Sequence, residues 1–171
     1  AAAVKIPAAE DPDKIVLLAF TSGTTGEPKG VMHSDNTLLA NARAMARDWR
    51  HHEDIVLFSM SPLTHAIGTI AMAQSLVSGF ELVLNDVPGG LKPLDWIVET
   101  GATYVMGVPT HAIDLIADAR RRGAGRLGAV TTFYMGGSAI PRETVRELRG
   151  MNIVPQNVYG MTENGAHQYT L

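Results

Sequence analysis

The sequence predicts an α/β fold, with a mostly parallel sheet that is covered by helices on both faces. Three observations lead to this prediction. Apolar runs of strand length alternate with amphipathic stretches of helix length along most of the 171 residues. Apolar residues make up 46% of the chain and charged residues 18%, which is typical of a globular domain. Repeated strand–helix alternation favours parallel strands, because each helix carries the chain back to the start of the next strand.

The first elements surround a loop that is rich in glycine. Residues 14–21 contain a continuous apolar run, which predicts a strand that is buried on both faces. The glycine-rich loop follows, and residues 30–33 are expected to form a short return strand. Ser34 or Asp35 can cap the next helix, because these side chains accept hydrogen bonds from free backbone N–H groups. That helix is predicted to end near Trp49.

The remaining elements continue the alternation, and proline or glycine marks many of their ends. Further strands are predicted over residues 54–60, 80–84, 103–108, 130–135 and 153–159. Further helices are predicted over residues 65–77, 93–100 and 109–121, with a last helix that begins near Pro141. Gly79 and Gly101 are expected to end two of these helices, because glycine readily adopts the left-handed conformation found at helix C-termini. Ligands of such sheets bind beyond the carboxyl ends of the strands, so the loops there are the candidate sites.

Composition and charge argue against several classes of protein. The net charge of −3 gives no general electrostatic reason to bind nucleic acid or an anionic membrane. The basic run Arg120–Arg122 falls at a predicted helix end, where the helix dipole favours cations. The chain has no cysteine, which excludes disulfides and thiol nucleophiles and agrees with a cytoplasmic protein. No apolar run is long enough for a transmembrane segment, and residues 1–7 lack the apolar region of a signal peptide.

The segment from Phe20 to Val31 is the most specific candidate binding site. Glycine lets the backbone approach a ligand closely, successive N–H groups can form an anion-binding concavity, and hydroxyls and a lysine add donors and charge. The residues that suit a polyphosphate are Thr21, Ser22, Gly23, Thr24, Thr25, Gly26 and Lys29. A Walker P-loop is excluded, because its lysine is followed by Ser or Thr at the start of a helix, whereas Gly30 follows Lys29 here. The alternative is a flexible surface loop.

Two further strand ends carry residues that suit a nucleotide. Gly136 and Gly137 follow the strand 130–135, and they form either a plain strand-to-helix turn or a place where the backbone approaches a flat ligand. The segment Tyr159–Glu163 offers an aromatic ring for a base, a hydroxyl for a phosphate and a carboxylate for Mg²⁺. Its alternative is a helix N-cap with an acidic first turn. If the sheet is parallel, the two segments lie at the same edge.

In order and approximate spacing, the three segments resemble the signatures of the adenylate-forming (AMP-binding) superfamily, which includes acyl-CoA synthetases, peptide-synthetase adenylation domains and luciferases. The resemblance implies that the glycine-rich loop grips the β- and γ-phosphates of ATP. The residues implied to flank adenine are Gly137, Ser138 and Ala139. The residues implied to stack on adenine, hold the α-phosphate and bind magnesium are Tyr159, Gly160, Met161, Thr162 and Glu163. The closing segment 160–171 is similar to acyl-CoA ligases of the cyclohexanecarboxylate or medium-chain type.

The resemblance also points to a histidine near the acyl group. Many family members place an aromatic residue or a histidine beside the acyl pocket, and His65, within Pro62–Gly68, fits that place. A helix-capping or core-edge histidine is the alternative for His65. The segment Val108–Thr110 also resembles one that borders the acyl site. His51 and His52 are expected to be exposed, and the histidines show no metal-ligand spacing.

The implied reaction is that of an ATP-dependent acid–thiol ligase. A carboxylic acid attacks ATP to give an acyl-adenylate and pyrophosphate, and coenzyme A then displaces AMP. Thr162, Glu163 and His65 are the implied catalytic residues, and Glu163 is the implied Mg²⁺ ligand. The expected partners are a small-molecule carboxylic acid, ATP and coenzyme A. Two alternatives stay open: a non-catalytic nucleotide-binding or interaction module, and a peptide-synthetase adenylation domain.

The resemblance carries an expectation about domain organisation. Residues 1–13 are expected to be a linker or part of a preceding segment. Residues 14–171 are expected to be a central α/β subdomain of the large N-terminal domain of such an enzyme. The family's ribose-binding segment and its C-terminal domain with the catalytic lysine are not in this sequence. The expectation is therefore a fragment that is inactive, or nearly so, by itself and that can form homo-oligomers.

Overall fold

The computed structural model describes residues 11–21, 26–85 and 89–171. Within these ranges the chain forms a six-stranded sheet, a separate two-stranded hairpin and five helices. The strands are β1 (Ile15–Thr21), β2 (Lys29–Ser34), β3 (Val56–Ser59), β4 (Glu81–Leu84), β5 (Tyr104–Gly107), β6 (Thr132–Met135), β7 (Val154–Met161) and β8 (Gly165–Tyr169). The helices are α1 (Asp35–Asp48), α2 (Ala66–Ser78), α3 (Pro93–Thr100), α4 (Pro109–Arg121) and α5 (Arg142–Gly150).

The main sheet has the strand order β4-β3-β5-β6-β7-β8. The strands from β4 to β7 pair in parallel, and β8 runs antiparallel to β7 at the edge. A helix lies between each successive pair of parallel strands along the chain, so the carboxyl ends of these strands meet at one edge. The predicted α/β class, with a mostly parallel sheet, is confirmed.

Two apolar clusters cover the two faces of the sheet. One contains buried residues of α3, α4 and α5 together with Phe58, Val105 and Phe133 of the sheet. The other contains buried residues of α1 and α2 together with Leu57 and Tyr104. Neighbouring residues such as Leu57 and Phe58 belong to opposite clusters, as the two-residue period of a strand requires. Helices therefore lie on both faces, which explains why the central strands read as continuous apolar runs.

Proline and glycine set helix ends at the predicted places. Pro93 begins α3, and Gly101 ends it with φ of 67°. Gly79 ends α2 with φ of 74°, in the left-handed region that glycine adopts at little cost. Ser34 caps α1: the backbone N–H of Thr37 donates to its hydroxyl at 3.4 Å, and Thr37 Oγ1 accepts from the Ser34 backbone N–H at 3.0 Å.

The basic run at the end of α4 is paired with nearby acids. Arg120 contacts Glu147 of α5 at 2.8 Å, and Arg121 contacts Asp118 at 2.9 Å. Arg122 contacts Asp118 at 2.7 Å. These side chains therefore serve the helix end and the neighbouring helix, as the sequence indicated, which leaves no reason to read them as a polyanion site.

The prediction that residues 14–21 form a strand buried on both faces was wrong. β1 pairs antiparallel with β2, outside the main sheet. Alternate side chains of β1 are exposed, including Leu18 at 53% and Phe20 at 68%, whereas Leu17 and Ala19 line a cavity that Phe20 also borders. A continuous apolar run has the same appearance whether one face or both are covered within the chain, so periodicity alone could not distinguish the two cases.

The helix N-cap alternative for Thr162 and Glu163 was also wrong. Both residues lie in the turn between β7 and β8, and the sequence analysis did not predict β8. Gly165–Tyr169 contains few large apolar residues, because β8 is an edge strand whose side chains are mostly exposed or half-buried. An edge strand of this composition carries little of the periodic signal on which strand prediction depends.

His51 was expected to be exposed, and it is half-buried. Its ring lies 5.5 Å from the ring of Phe80 and 5.4 Å from that of Tyr104. Burial, with a smaller contribution from the neighbouring His52, lowers the pKa of His51 to about 4. His51 is therefore a neutral core-edge residue at neutral pH.

Candidate functional site

β6 and β7 bring two of the predicted segments together. The strands pair in parallel with Met135 opposite Asn157, so the residues that follow these positions run side by side. A cavity of about 370 Å³ opens between them. Its lining consists of Gly137, Ser138, Ala139, Ile140, Asn157, Val158, Tyr159 and Gly160. We call this space the sheet-edge cavity; the residues predicted to flank adenine and to stack on it lie around it.

The two glycines after β6 have a local reason to be glycine. A Cβ atom on Gly136 would lie 3.0 Å from the carbonyl oxygen of Val158 in β7. Gly137 has φ of 85°, which L-side chains rarely adopt. Gly137 lines the sheet-edge cavity together with Tyr159, which is 60% exposed. A flat, partly apolar ligand suits this arrangement.

The turn between β7 and β8 presents Thr162 and Glu163. Gly160 pairs with Ala166 across the hairpin. A Cβ atom on Gly160 would lie 1.9 Å from the carbonyl oxygen of Gly165, so glycine is required for the two strands to approach. Thr162 is half-buried and Glu163 is exposed. The hairpin thus carries the predicted phosphate and metal residues just beyond the predicted adenine residues.

A second cavity of about 400 Å³ is lined by residues of this turn and of β1, α1 and α2. We call it the helix-side cavity. Its polar lining includes Thr162, Glu163 and His65. Its apolar lining includes Leu17, Ala19, Phe20, Leu38, Ala42, Ala66, Ile70 and Ala73. All three residues predicted to be catalytic therefore border one largely apolar space.

His65 caps α2. Its Nδ1 accepts a hydrogen bond from the backbone N–H of Ile67 at 3.2 Å, so Nε2 carries the proton in the neutral ring. The capping alternative for His65 thus describes its hydrogen bond, while its exposed ring also borders the helix-side cavity. The two functions are compatible, because capping uses one ring nitrogen.

The segment Val108–Thr110 forms the start of α4, with Val108 at the N-cap position. His111, one residue further, accepts a hydrogen bond at Nδ1 from the backbone N–H of Val108 at 3.2 Å. Burial lowers the pKa of His111, and the charge of His65 acts in the same direction against the opposite effect of Asp114.

The glycine-rich loop joins β1 to β2, as the sequence predicted. Thr21 and Lys29 face each other at the loop end of this hairpin. Gly26 has φ of 90°, so a side chain there would be strained. Four of the predicted phosphate-binding residues lie outside the described residues: Ser22, Gly23, Thr24 and Thr25.

The described residues contain no group of three or more His, Cys, Asp or Glu that could hold a metal ion. Glu163 is a single exposed carboxylate beside a cavity. Magnesium is commonly held by one or two carboxylates and by the phosphates of a substrate, so a single carboxylate at this turn fits a metal that arrives with a nucleotide. A site made by protein ligands alone does not fit these residues.

Sequence reasoning missed two residues behind the turn. His33 of β2 is 8% exposed, and its Nε2 lies 2.7 Å from the carbonyl oxygen of Thr162. Asn41 of α1 donates from Nδ2 to the Ala166 carbonyl at 2.7 Å and accepts at Oδ1 from the Ala166 N–H at 3.1 Å. A polar residue at an inward strand position was the available signal for His33, and nothing local marked its partner.

Comparisons with known proteins identify the family of this chain. A family model described as "AMP-binding enzyme" matches residues 2–170. The chain is 31% identical over 156 residues to a medium-chain fatty-acid–CoA ligase of Escherichia coli, covering 91% of this chain and 27% of the relative. It is 30% identical over 155 residues to a feruloyl-CoA synthase of an Amycolatopsis species, covering 88% of this chain and 31% of the relative. The chain thus spans less than a third of the length of these two curated relatives.

Solved structures share the fold. Apo MatB from Rhodopseudomonas palustris superposes with a TM-score of 0.77 at 26% identity, covering 94% of this chain and 32% of that one. VinN in complex with L-aspartate superposes with a TM-score of 0.81 at 24% identity, covering 99% of this chain and 42% of that one. In the part of the chain that the structure describes, no helix combines the length and the apolar character needed to cross a membrane.

Proposed function

The chain belongs to the AMP-binding enzyme family, and we propose that the protein that carries it is an ATP-dependent acid–thiol ligase. In this proposal, a carboxylic acid is activated as an acyl-adenylate and the acyl group is then transferred to coenzyme A. AMP and pyrophosphate are the other products. The names of the matched relatives, a medium-chain fatty-acid–CoA ligase and a feruloyl-CoA synthase, support this direction.

One observation carries the proposal. The parallel pairing of β6 and β7 gathers Gly137–Ala139 and Tyr159 around the sheet-edge cavity. The same strand β7 continues into the turn that presents Thr162 and Glu163 to the helix-side cavity. A ligand with a flat base at one end and charged phosphates at the other matches this order of groups along a single strand.

The first step requires positioning more than chemical participation by a side chain. A carboxylate oxygen forms a bond to the α-phosphorus, and the bond from that phosphorus to the bridging oxygen breaks, so that pyrophosphate leaves with the electron pair. We assign Thr162 to the α-phosphate, and Thr21 and Lys29 to the phosphates that leave. Neutralising charge that develops during the step is the main catalytic contribution open to these residues.

Glu163 is the residue that would hold Mg²⁺, which would neutralise charge on the phosphates when it is bound. Apart from the metal, Glu163 and Thr162 keep fixed positions because the turn between β7 and β8 is short and hydrogen-bonded. The backbone N–H of Asn164 donates to the carbonyl oxygen of Met161 at 3.3 Å. A rigid turn of this kind limits the reorganisation needed when charge shifts.

The second step is transfer to a thiol. The sulfur of coenzyme A forms a bond to the acyl carbon, the bond from that carbon to the phosphate oxygen breaks, and AMP leaves as the thiol proton passes to solvent. The helix-side cavity supports an apolar acyl group, since its volume of about 400 Å³ is lined mainly by apolar side chains next to His65. We therefore propose a medium-length aliphatic or an aromatic acid as the substrate class.

Exchange of labelled pyrophosphate into ATP tests the first step. The complete gene product is assayed with a panel of aliphatic and aromatic carboxylic acids, and then with coenzyme A for acid-dependent AMP release. We expect exchange with one acid class, and we expect Glu163→Gln to lower it by about 100-fold. The matched control is Glu99→Gln, which removes an exposed acid from α3 on the opposite face of the sheet.

The outcomes separate the alternatives. Exchange without thioester formation on coenzyme A would favour a carrier-protein acceptor, as in a peptide-synthetase adenylation domain. ATP binding without exchange for any acid would contradict the proposal and favour a non-catalytic nucleotide-binding module.

A further inference from the structure

The turn that presents Thr162 and Glu163 is held from behind by two side chains. His33 lies in β2, the return strand of the glycine-rich loop, and contacts the turn across 129 residues of sequence. Asn41 lies in α1 and contacts Ala166 across 125 residues. Both border the helix-side cavity together with the turn itself. Neither was assigned a role by the sequence or by the proposed reaction.

The hydrogen bond of His33 has a defined direction. A carbonyl oxygen only accepts, so Nε2 must donate its proton to Thr162 O at 2.7 Å. The other ring nitrogen, Nδ1, lies 3.3 Å from Thr37 Oγ1. Thr37 in turn accepts from the backbone N–H of Ser34 and donates to its carbonyl oxygen, both at 3.0 Å. The single Thr37 hydroxyl proton goes either to the Ser34 carbonyl oxygen or to Nδ1, so the imidazole contacts the start of α1 on one side and reaches the turn with the other.

The contact of Asn41 imitates a backbone pair. Its amide both donates to and accepts from the same peptide residue, Ala166, at 2.7 Å and 3.1 Å. Gly165 is packed against it, because a Cβ atom there would lie 3.1 Å from Asn41 Oδ1. Gly165 also has φ of 64°, so this position is suited to glycine for two independent reasons. Asn41 therefore fixes the β8 side of the turn, as His33 fixes its β7 side.

We propose that His33 and Asn41 are positioning residues that set the place of the Thr162–Glu163 turn, and that His33 couples this turn to the strand that leaves the glycine-rich loop. The proposal rests on the proposed function in one respect, namely that the turn holds the phosphates and their metal. Because β2 begins at Lys29, a single hydrogen bond links the two segments expected to hold opposite ends of the triphosphate. Movement of the Thr162–Glu163 turn is therefore expected to move β2, and movement of β2 to move the turn.

The test compares three classes of variant in the complete gene product. His33→Leu removes the donor and leaves the Thr162 carbonyl without its partner, whereas His33→Gln keeps a side-chain N–H donor. Asn41→Leu removes both bonds to Ala166. The matched control is Asn36→Ala on the same helix, because Asn36 donates to Asp13 at 2.7 Å and is not among the residues that hydrogen-bond the turn.

Two readouts are needed. Hydrogen exchange of residues 160–168 reports the position of the turn without any requirement for activity. The function of the turn is reported by the Mg²⁺ concentration that gives half-maximal pyrophosphate exchange, and by kcat and KM for ATP measured separately. We expect faster hydrogen exchange of this segment in His33→Leu and Asn41→Leu. We also expect about a 10- to 100-fold loss in kcat/KM for ATP, the range expected when a partly buried carbonyl loses its donor. The KM for the acid should stay near the wild-type value, and His33→Gln should recover most of the loss.

The outcomes are decisive in both directions. Unchanged hydrogen exchange of the turn in His33→Leu and Asn41→Leu would overturn the proposal, and so would a lower melting temperature with no change in Mg²⁺ dependence. The same effect in Asn36→Ala would also overturn it, since the turn would then respond to any loosening of α1. If the wild-type protein shows no exchange activity with any acid, the proposed reaction fails while the hydrogen-exchange comparison still decides the positioning role.

Discussion

The β7–β8 hairpin and the β1–β2 hairpin both present residues predicted to bind the nucleotide, but the first belongs to the main sheet and the second does not. The turn of β7–β8 is tied to His33 and Asn41. The β1–β2 hairpin leaves Leu18 and Phe20 exposed at 53% and 68%. The difference indicates that the residues proposed to hold the α-phosphate and the metal are positioned by the fold of this domain. The outer face of the other hairpin is left uncovered by the residues that the structure describes.

Helix α1 is the element that anchors the β7–β8 hairpin along its length. Asn41 holds its turn, and Trp49 holds its far end by donating from Nε1 to the carbonyl oxygen of Thr170 at 2.8 Å. The hydroxyl of Tyr169 donates to Asp48 at 2.8 Å, and its ring lies 5.0 Å from the ring of Trp49. A strand at the edge of a sheet is thus fixed by side chains from a helix, in addition to its backbone pairing with β7.

The largest effect is expected from Gly160→Ala, because Gly160 lies where β7 and β8 approach each other most closely in the β7–β8 hairpin. A Cβ atom there would lie 1.9 Å from the backbone oxygen of Gly165, and backbone cannot move aside as a flexible side chain can. We expect a loss of about 3 kcal/mol in the free energy of unfolding, together with loss of nucleotide binding. Urea denaturation and calorimetric titration with ATP measure the two effects.

Gly150→Ala is the matched control for this prediction. Gly150 is the last residue of α5, and the space where its Cβ atom would lie is open. Its free energy of unfolding should stay within about 0.5 kcal/mol of wild type or rise slightly, because alanine is the better helix former. If Gly160→Ala behaved like Gly150→Ala, the close approach of β7 and β8 would not be a requirement of the fold.

The parts of the fold that depend on local chemistry were predictable. The bounds of α3 and α4 follow from Pro93, Gly101 and Pro109, which act through their own backbone geometry. The meeting of Gly137 with Tyr159 was also predictable, because strand–helix alternation indicates parallel strands whose carboxyl ends share an edge. In both cases, the residues whose pattern predicts the feature are the same residues that form it.

The parts that depend on distant partners were not predictable. The burial of β1 could not be inferred from its apolar run, because the same run is found whether one face of a strand or both faces are covered. The roles of His33 and Asn41 arise from contacts with residues more than a hundred positions later. β8 is stabilised by α1 and β7, and its own composition carries little strand signal. Long-range contacts of this kind leave no periodicity in the sequence.

A smaller effect is expected from acid at the base of the anchored hairpin. The ring of His51 packs against Trp49, the residue that holds β8, and burial lowers the pKa of His51 from 6.5 to about 4. The unfolded chain therefore binds more protons than the folded one between these values. Stability is retained above pH 6.5 and falls as the pH drops toward 4. We expect a loss of about 1 to 2 kcal/mol between pH 7 and pH 5, measured by urea denaturation at each pH.

Two variants isolate this contribution. His51→Gln removes the titrating group and should flatten the dependence between pH 7 and pH 5, whereas His52→Gln, at the exposed neighbour, should leave most of it. The pKa of Asp48 is lowered mainly by Arg47 and then by Tyr169, so that carboxylate titrates below this window. An unchanged pH dependence in His51→Gln would show that another group loosens the base of the hairpin.

The smallest effect is expected on the uncovered hairpin, and a matched pair of leucines makes it informative. Leu57 of β3 is fully buried in the main sheet, so Leu57→Ala should cost about 3 kcal/mol of unfolding free energy. Leu18→Ala removes the same atoms from a side chain that is 53% exposed and should cost less than about 1 kcal/mol. Urea denaturation of the complete gene product measures both. A cost for Leu18→Ala close to that for Leu57→Ala would mean that other residues cover the outer face of β1. The contrast between the two hairpins would then hold for the described residues and not for the whole protein.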